Sequence, residues 1–126
     1  VLVGHSDADV IAHAAADALL GAAGLGDIGQ HYPDTDPAWK GANSLAILKD
    51  VAAKVTALGW RVGNIDCSVV CESPRIAPVR DEMVSLLSAA AGAPVSVKGR
   101  RAEGLGAIGR GEGIACFSSA IIIKES

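Results

Sequence analysis

The sequence predicts a small α/β (α+β) domain, a mixed β-sheet with helices on one face. Three observations lead there. Segments with helical apolar spacing alternate with short runs rich in Val and Ile. The chain has 126 residues, which suits one domain with its own hydrophobic core, so 1–126 is expected to be a single unit. Half of the residues are apolar, yet the aromatics are only two Trp, one Tyr and one Phe, so Ala, Val, Leu and Ile must do the packing.

The elements follow in order. "HSDADVIAHAAAD" opens a helix expected near 7–23, with Ser6 as N-cap and Asp9 three residues on, a capping-box pattern. Asp9, His13 and Asp17 recur at four-residue steps and so share one helical face as a polar stripe. The remaining positions are apolar on nearly all sides, which predicts burial. A Gly/Pro/Asp loop follows through "GLGDIGQHYPDTDPAWKG". "ANSLAILKDVAAKVTALG" reads as a second helix capped by Asn43 or Ser44 and stopped by Gly59.

"WRVGNIDCSVVC" is a strand, and a third helix is expected from near Pro78 to Gly92. "PVSVK" is a short strand and "GIACFSSAIIIK" a long closing one, giving the order α-α-β-α-β-β. The closing strand is apolar on both parities: Ile114, Cys116, Ala120 and Ile122 on one, Ala115, Phe117, Ile121 and Ile123 on the other. Burial of both faces in so small a sheet predicts oligomerisation. The sequence opens on "VLVGH" without Met, as though mid-strand or mid-loop, and is expected to be a domain lacking its N-terminal segment.

A net charge of -3 offers no general argument for nucleic acid. Its distribution says more. Asp7, Asp9, Asp17, Asp27, Asp34 and Asp36 all precede the first basic residue, Lys40, whereas Lys98, Arg100, Arg101 and Arg110 gather late. An acidic front and a basic back suit a metal ion beside an anionic substrate, or simply an unevenly charged solvated surface. Cys67, Cys71 and Cys116 are odd in number, which argues against a disulfide framework. Cys67 and Cys71, about 13 Å apart along a strand, are expected as small core residues. No signal peptide or membrane-length apolar run stands out, so a cytoplasmic protein that does not engage a membrane is expected.

Several residues could carry chemistry. His13 among carboxylates suits a zinc-type ion, or a core histidine bonded to Asp9 or Asp17. His5 and Ser6, expected at a helix N-terminus, could meet a phosphate. His31 has no spacing logic of its own. Asp27, Asp34 and Asp36 could bind a hard cation or sugar hydroxyls, or build Asx turns around Pro33 and Pro37. "KGRRAEGLGAIGRGEG" contains G-x-G-x-x-G from Gly104 to Gly109, but it runs into the last strand instead of a continuing βαβ unit, so a dinucleotide fingerprint is rejected. With Arg100, Arg101 and Arg110 it could still cradle phosphate oxygens, and Arg75 in "ESPRIAP" offers another anion contact.

Taken together, "HSDADVIAHAAADALLGAAGLGDIGQHYPDTDPAWKGANS", "GWRVGNIDCSVVCESPRIAP" and "EGLGAIGRGEGIA" resemble the 2-C-methyl-D-erythritol 2,4-cyclodiphosphate synthase family over essentially the whole chain. The resemblance implies a cytoplasmic homotrimer assembled through packed sheets, with active sites between subunits. It implies a lyase of isoprenoid-precursor synthesis: the 2-phosphate of a CDP-linked methylerythritol attacks the β-phosphate, closes a cyclic diphosphate and expels CMP. A divalent metal (Zn²⁺, Mg²⁺ or Mn²⁺) polarises the diphosphate. By position, His13 would bind metal and Glu103 a second cation, with the other zinc ligands in an Asp-x-His pair ahead of Val1.

His5 and Ser6 would contact phosphate, as would Arg100 and Arg110. Asp27, Ile28 and Gly29 with Tyr32, Pro33, Asp34, Thr35 and Asp36 would line the methylerythritol pocket. Cys71, Pro74, Arg75, Ile76 and Ala77 would hold the cytosine end, Arg75 standing where the family usually has lysine. Arg101 stands in "RRAE" where the family reads Thr-Thr-Thr-Glu, so that a guanidinium replaces the hydroxyl steadying the transferring phosphate. His5 and Arg101 are therefore the expected catalytic contacts. A non-catalytic trimeric nucleotide-binding homologue and a metal-dependent phosphohydrolase using His5, Asp9 and His13 are the competing expectations.

Overall fold

The computed structural model describes residues 3–33, 43–71, 77–100, 105–109 and 114–125, with the side chains of 3–7, 77, 107 and 109 left aside. Helix α1 spans Val3–Ala22. It begins upstream of the expected start, so Ser6 is inside the helix and is not its N-cap, and His5 is helical as well. A cap-type residue does not stop a helix from extending past it, since the helical cost of serine is small. On α1, Ile11, Ala12, Ala15, Ala16, Leu19 and Leu20 are buried, while His13 and Asp17 are exposed. The expectation of burial on nearly all sides is corrected: α3 and the sheet cover one side only, leaving the polar stripe to solvent.

A single-turn helix α2, Ile28–His31, interrupts what was expected to be loop. Helix α3 runs Ser44–Ala57, and its N-cap Asn43 accepts the Ala46 N–H at 2.8 Å. Strand β1 is Trp60–Val70, and a 3₁₀ turn at Ala77–Val79 leads into α4, Arg80–Ala91. Strand β2 is Val95–Arg100, α5 a single turn at Gly106–Gly109, and β3 Ala115–Lys124. Gly92 ends α4 in the left-handed region at φ +68, with nothing within 4 Å of where a Cβ would stand. Gly92→Ala is therefore expected to cost only the backbone strain, about 1 kcal/mol, read as a lower urea midpoint with an unchanged m-value.

The sheet order is β2-β1-β3. β1 pairs parallel with β2, from Ile65 opposite Val95 to Val70 opposite Arg100. It pairs antiparallel with β3, from Trp60 opposite Lys124 to Val70 opposite Ala115, with an irregularity between Val62 and Asn64. At that point a Cβ on Gly63 would come within 3.2 Å of the Ile121 carbonyl oxygen, so the missing side chain lets β3 close in.

All three long helices join the sheet in one layer: α1 packs on α3 and β3, α3 on α4 and β1, and α4 on β2. Ile65, Cys67, Val69, Val95 and Val97 are buried with them, and Cys71 joins this core as expected. On β3 the alternate parity stays open within the chain: Phe117 is 68% exposed, Ile121 59% and Ile123 40%. No described helix is long and apolar enough to cross a membrane.

Candidate functional site

The stripe on α1 and the segment after it form one continuous construction. Leaving α1, the chain turns so that the Ile28 N–H donates to the Asp17 carboxylate at 3.0 Å. Asp27 caps α2, accepting the Gln30 N–H at 3.0 Å, while Gln30 Oε1 accepts the Asp27 N–H at 3.1 Å. This reciprocal box satisfies donors that a one-turn helix would otherwise leave bare. Asp27 and Gly29 remain exposed and Ile28 half-exposed, so the turn is held from within and presents its outer edge to solvent.

His13 lies one helical turn before Asp17 on the same face. It is exposed, and its ring has no hydrogen-bond partner among the described residues. The alternative of a core histidine bonded to Asp9 or Asp17 is thereby set aside.

Behind the turn, side chains of α3 complete the support. The His31 Nε2–H donates to the Leu25 carbonyl at 2.7 Å, and Lys54 Nζ lies 3.3 Å from His31 Nδ1. Tyr32 is buried, its hydroxyl donating to Asp50. Burial and the adjacent Asp50 carboxylate push the phenol well above its ordinary range, so it stays a donor at any pH the protein meets. Lys54 Nζ sits 4.4 Å from the Tyr32 ring centroid and 3.6 Å from Asp50. Tyr32 thus braces the segment from the α3 side, and Pro33 follows it, half-buried.

A second group forms at the carboxyl ends of the parallel strands, where open α/β sheets generally bind ligands. The Cys71 N–H donates to the Arg100 carbonyl at 3.0 Å, so Cys71 and the last residue of β2 lie side by side. Arg100 is exposed there. Ala77 opens the 3₁₀ turn. Pro74, Arg75, Ile76, Arg101, Glu103, Arg110, Asp34, Thr35 and Asp36 lie outside the described residues, and for His5 and Ser6 only the helical backbone is described.

Among the described residues no group of three or more His, Cys, Asp or Glu could hold a metal ion. The exposed His13 imidazole is chemically suited to be one ligand of a zinc-type ion; a closed donor set is not present in this part of the chain. A groove of about 790 Å³, walled by Lys49, Trp60, Arg61, Ala90 and Glu125 among others, lies at the amino end of β1, opposite the Cys71–Arg100 junction. It is separate from the candidate site.

Sequence reasoning missed α2, although the signal was present: Asp27 and Gln30 stand in the N-cap and N3 relation of a capping box. It also missed Asp17 as an anchor and the roles of His31, Asp50 and Lys54. The Asp17–Ile28, Tyr32–Asp50 and His31–Lys54 contacts join residues 11, 18 and 23 positions apart, and no local pattern encodes them.

Comparison with known proteins shows which family the chain belongs to. The YgbB family model matches residues 1–123. The 2-C-methyl-D-erythritol 2,4-cyclodiphosphate synthase of Bordetella petrii is 53% identical, the match covering 99% of this chain and 79% of that protein. The bifunctional enzyme IspD/IspF of Anaeromyxobacter dehalogenans is also 53% identical over 99% of this chain, which spans only about a third (33%) of that relative's length.

Among solved structures, the bifunctional IspDF of Campylobacter jejuni superposes with a TM-score of 0.85 at 42% identity, covering 91% of this chain and 32% of that one. The CDP complex of Plasmodium falciparum IspF gives a TM-score of 0.80 at 28% identity, covering 93% of this chain and 72% of that one. With the family model matched almost end to end on a fold and an α1 stripe of this kind, the chain belongs to the YgbB family, the family of the 2-C-methyl-D-erythritol 2,4-cyclodiphosphate synthases.

Proposed function

We propose that the chain is a lyase domain that cyclises a CDP-linked methylerythritol 2-phosphate to 2-C-methyl-D-erythritol 2,4-cyclodiphosphate, releasing CMP, in isoprenoid-precursor synthesis. The observation that carries this reading is His13: an exposed imidazole without a described partner, on the helix face whose Asp17 anchors the Asp27 turn. Phosphoryl transfer of this kind needs alignment and charge neutralisation more than a reactive side chain. A bound divalent cation would supply Lewis-acid polarisation of the diphosphate, with His13 and Glu103 as ligands from this chain.

The chain's own residues do the positioning. Asp27, with its Oδ2 free of described partners, accepts hydrogen bonds from the methylerythritol hydroxyls, and Ile28, Gly29, Tyr32 and Pro33 with Asp34, Thr35 and Asp36 shape that pocket. Cys71 and the 74–77 run hold the cytosine end. His5, Ser6, Arg100 and Arg110 bind phosphate oxygens, and Arg101 balances the charge that builds on the transferring group.

Assembly as a homotrimer with sites between subunits is part of the proposal, supported by the open apolar parity of β3 at Phe117, Ile121 and Ile123. Free thiols at Cys67 and Cys116 fit a reducing, cytoplasmic setting.

The test is direct. The full-length protein, given the CDP-linked substrate with Zn²⁺ and Mg²⁺, is expected to yield CMP and a cyclic diphosphate in equal amounts by phosphorus NMR. Release of inorganic phosphate, or CDP binding without CMP release, would overturn this reading; the latter would mark a non-catalytic binding homologue.

A further inference from the structure

We propose that Lys54, acting with Asp50, is a positioning residue that fixes the methylerythritol wall at residues 27–33; this rests on the functional reading above. The wall needs such a device. α2 is a single turn, too short to hold its own conformation in water. Its place is therefore set by side-chain attachments, and among the described residues Asp50 and Lys54 supply attachments from α3.

Lys54 is a three-way junction. Because His31 spends its Nε2–H on the Leu25 carbonyl, Nδ1 carries the lone pair and accepts from the Lys54 ammonium at 3.3 Å. The same ammonium lies 4.4 Å from the Tyr32 ring centroid and 3.6 Å from Asp50, which in turn accepts from the Tyr32 hydroxyl. The His31 ring is thus pinned at both nitrogens, and Tyr32 is held by its face and by its hydroxyl. Both residues close the C-terminal end of the wall, directly before Asp34–Asp36 in sequence. As an i,i+4 ion pair alone, Lys54 and Asp50 would be an ordinary half-exposed surface pair of little consequence. Their contacts with His31 and Tyr32 are what give the pair a function.

The effect should be confined to one end of the substrate. The cytidine end is expected from Cys71 onward, and Cys71 follows β1 rather than joining the α1–α2–α3 corner, so loosening the 27–33 wall should weaken recognition of the methylerythritol moiety and leave CDP affinity alone. Lys54→Met keeps the aliphatic stem and removes the charge and donors; Lys54→Arg restores both.

In the full-length protein, Lys54→Met is expected to raise KM for the CDP-linked substrate about five- to tenfold, with kcat and the calorimetric Kd for CDP within about twofold of wild type. Lys54→Arg is expected to recover most of the loss. An unchanged KM, a parallel loss of CDP affinity, or no recovery by arginine would overturn the inference while leaving the function intact. Should Lys54→Met fail to fold, Asp50→Asn decides: it keeps an acceptor for Tyr32, removes the counter-charge of Lys54, and should raise KM in the same selective way. A wild-type protein that releases no CMP overturns the functional reading, and this inference with it, before any variant is compared.

Discussion

His13→Ala is expected to reduce CMP release by at least about a hundredfold and to lower the metal content of the purified protein, while the melting temperatures of the metal-stripped variant and metal-stripped wild type stay within about 2 °C of each other. The two halves of this expectation come from one fact. The side chain is exposed and makes no described hydrogen bond, so removing it takes nothing from the folded protein, and alanine is a better helix former than histidine. A residue that serves only as surface would lose neither metal nor turnover on replacement. Metal analysis and a CMP assay on the same preparation, with thermal melts after metal removal, separate the cases. Retention of metal together with turnover within about twofold of wild type would remove His13 from the site.

Leu48→Ala is expected to destabilise the protein by about 3 kcal/mol, lowering the melting temperature by roughly 10 °C at fixed protein concentration. Leu48 is fully buried on α3, the helix packed on α1, α4 and β1, and its loss leaves a cavity that three elements would have to move together to fill. Helix propensity cannot offset this, because leucine and alanine differ by only a few tenths of a kcal/mol in a helix. The control is Leu58, the α3 C-cap, which is 49% exposed: Leu58→Ala should stay within about 0.5 kcal/mol. Urea titrations of both variants check the contrast. Equal midpoints for the two would mean that α3 does not carry the core as its burial pattern implies.

Much of the frame could be read locally. An N-cap of α3 at Asn43 or Ser44, which the structure resolves to Asn43, the Gly92 terminus of α4, and the three strands follow from short-range rules about capping, left-handed backbone and β-branched runs. The same holds for the α1 stripe, since a four-residue period needs nothing beyond helix geometry to bring Asp9, His13 and Asp17 onto one face. Where α1 begins was not readable in this way. Serine is a frequent cap, yet nothing in its chemistry prevents a preceding turn of helix, and α1 takes Val3 to Ser6 into its own span. One-turn elements such as α2 and α5 were also lost, because a periodicity needs more than four residues to declare itself.

Local chain chemistry was enough to establish which side chains were candidates for binding: a histidine between carboxylates, an aspartate-rich turn, arginines around glycines. Which of them face solvent, which brace one another and which strands lie side by side came from packing between distant segments. His13 is exposed because α3 and the sheet cover only the other side of α1. The Asp27 turn is fixed because Asp17, Asp50 and Lys54 reach it from two different helices. Such contacts depend on where helices settle against the sheet, a property of the whole fold that no window of neighbouring residues contains.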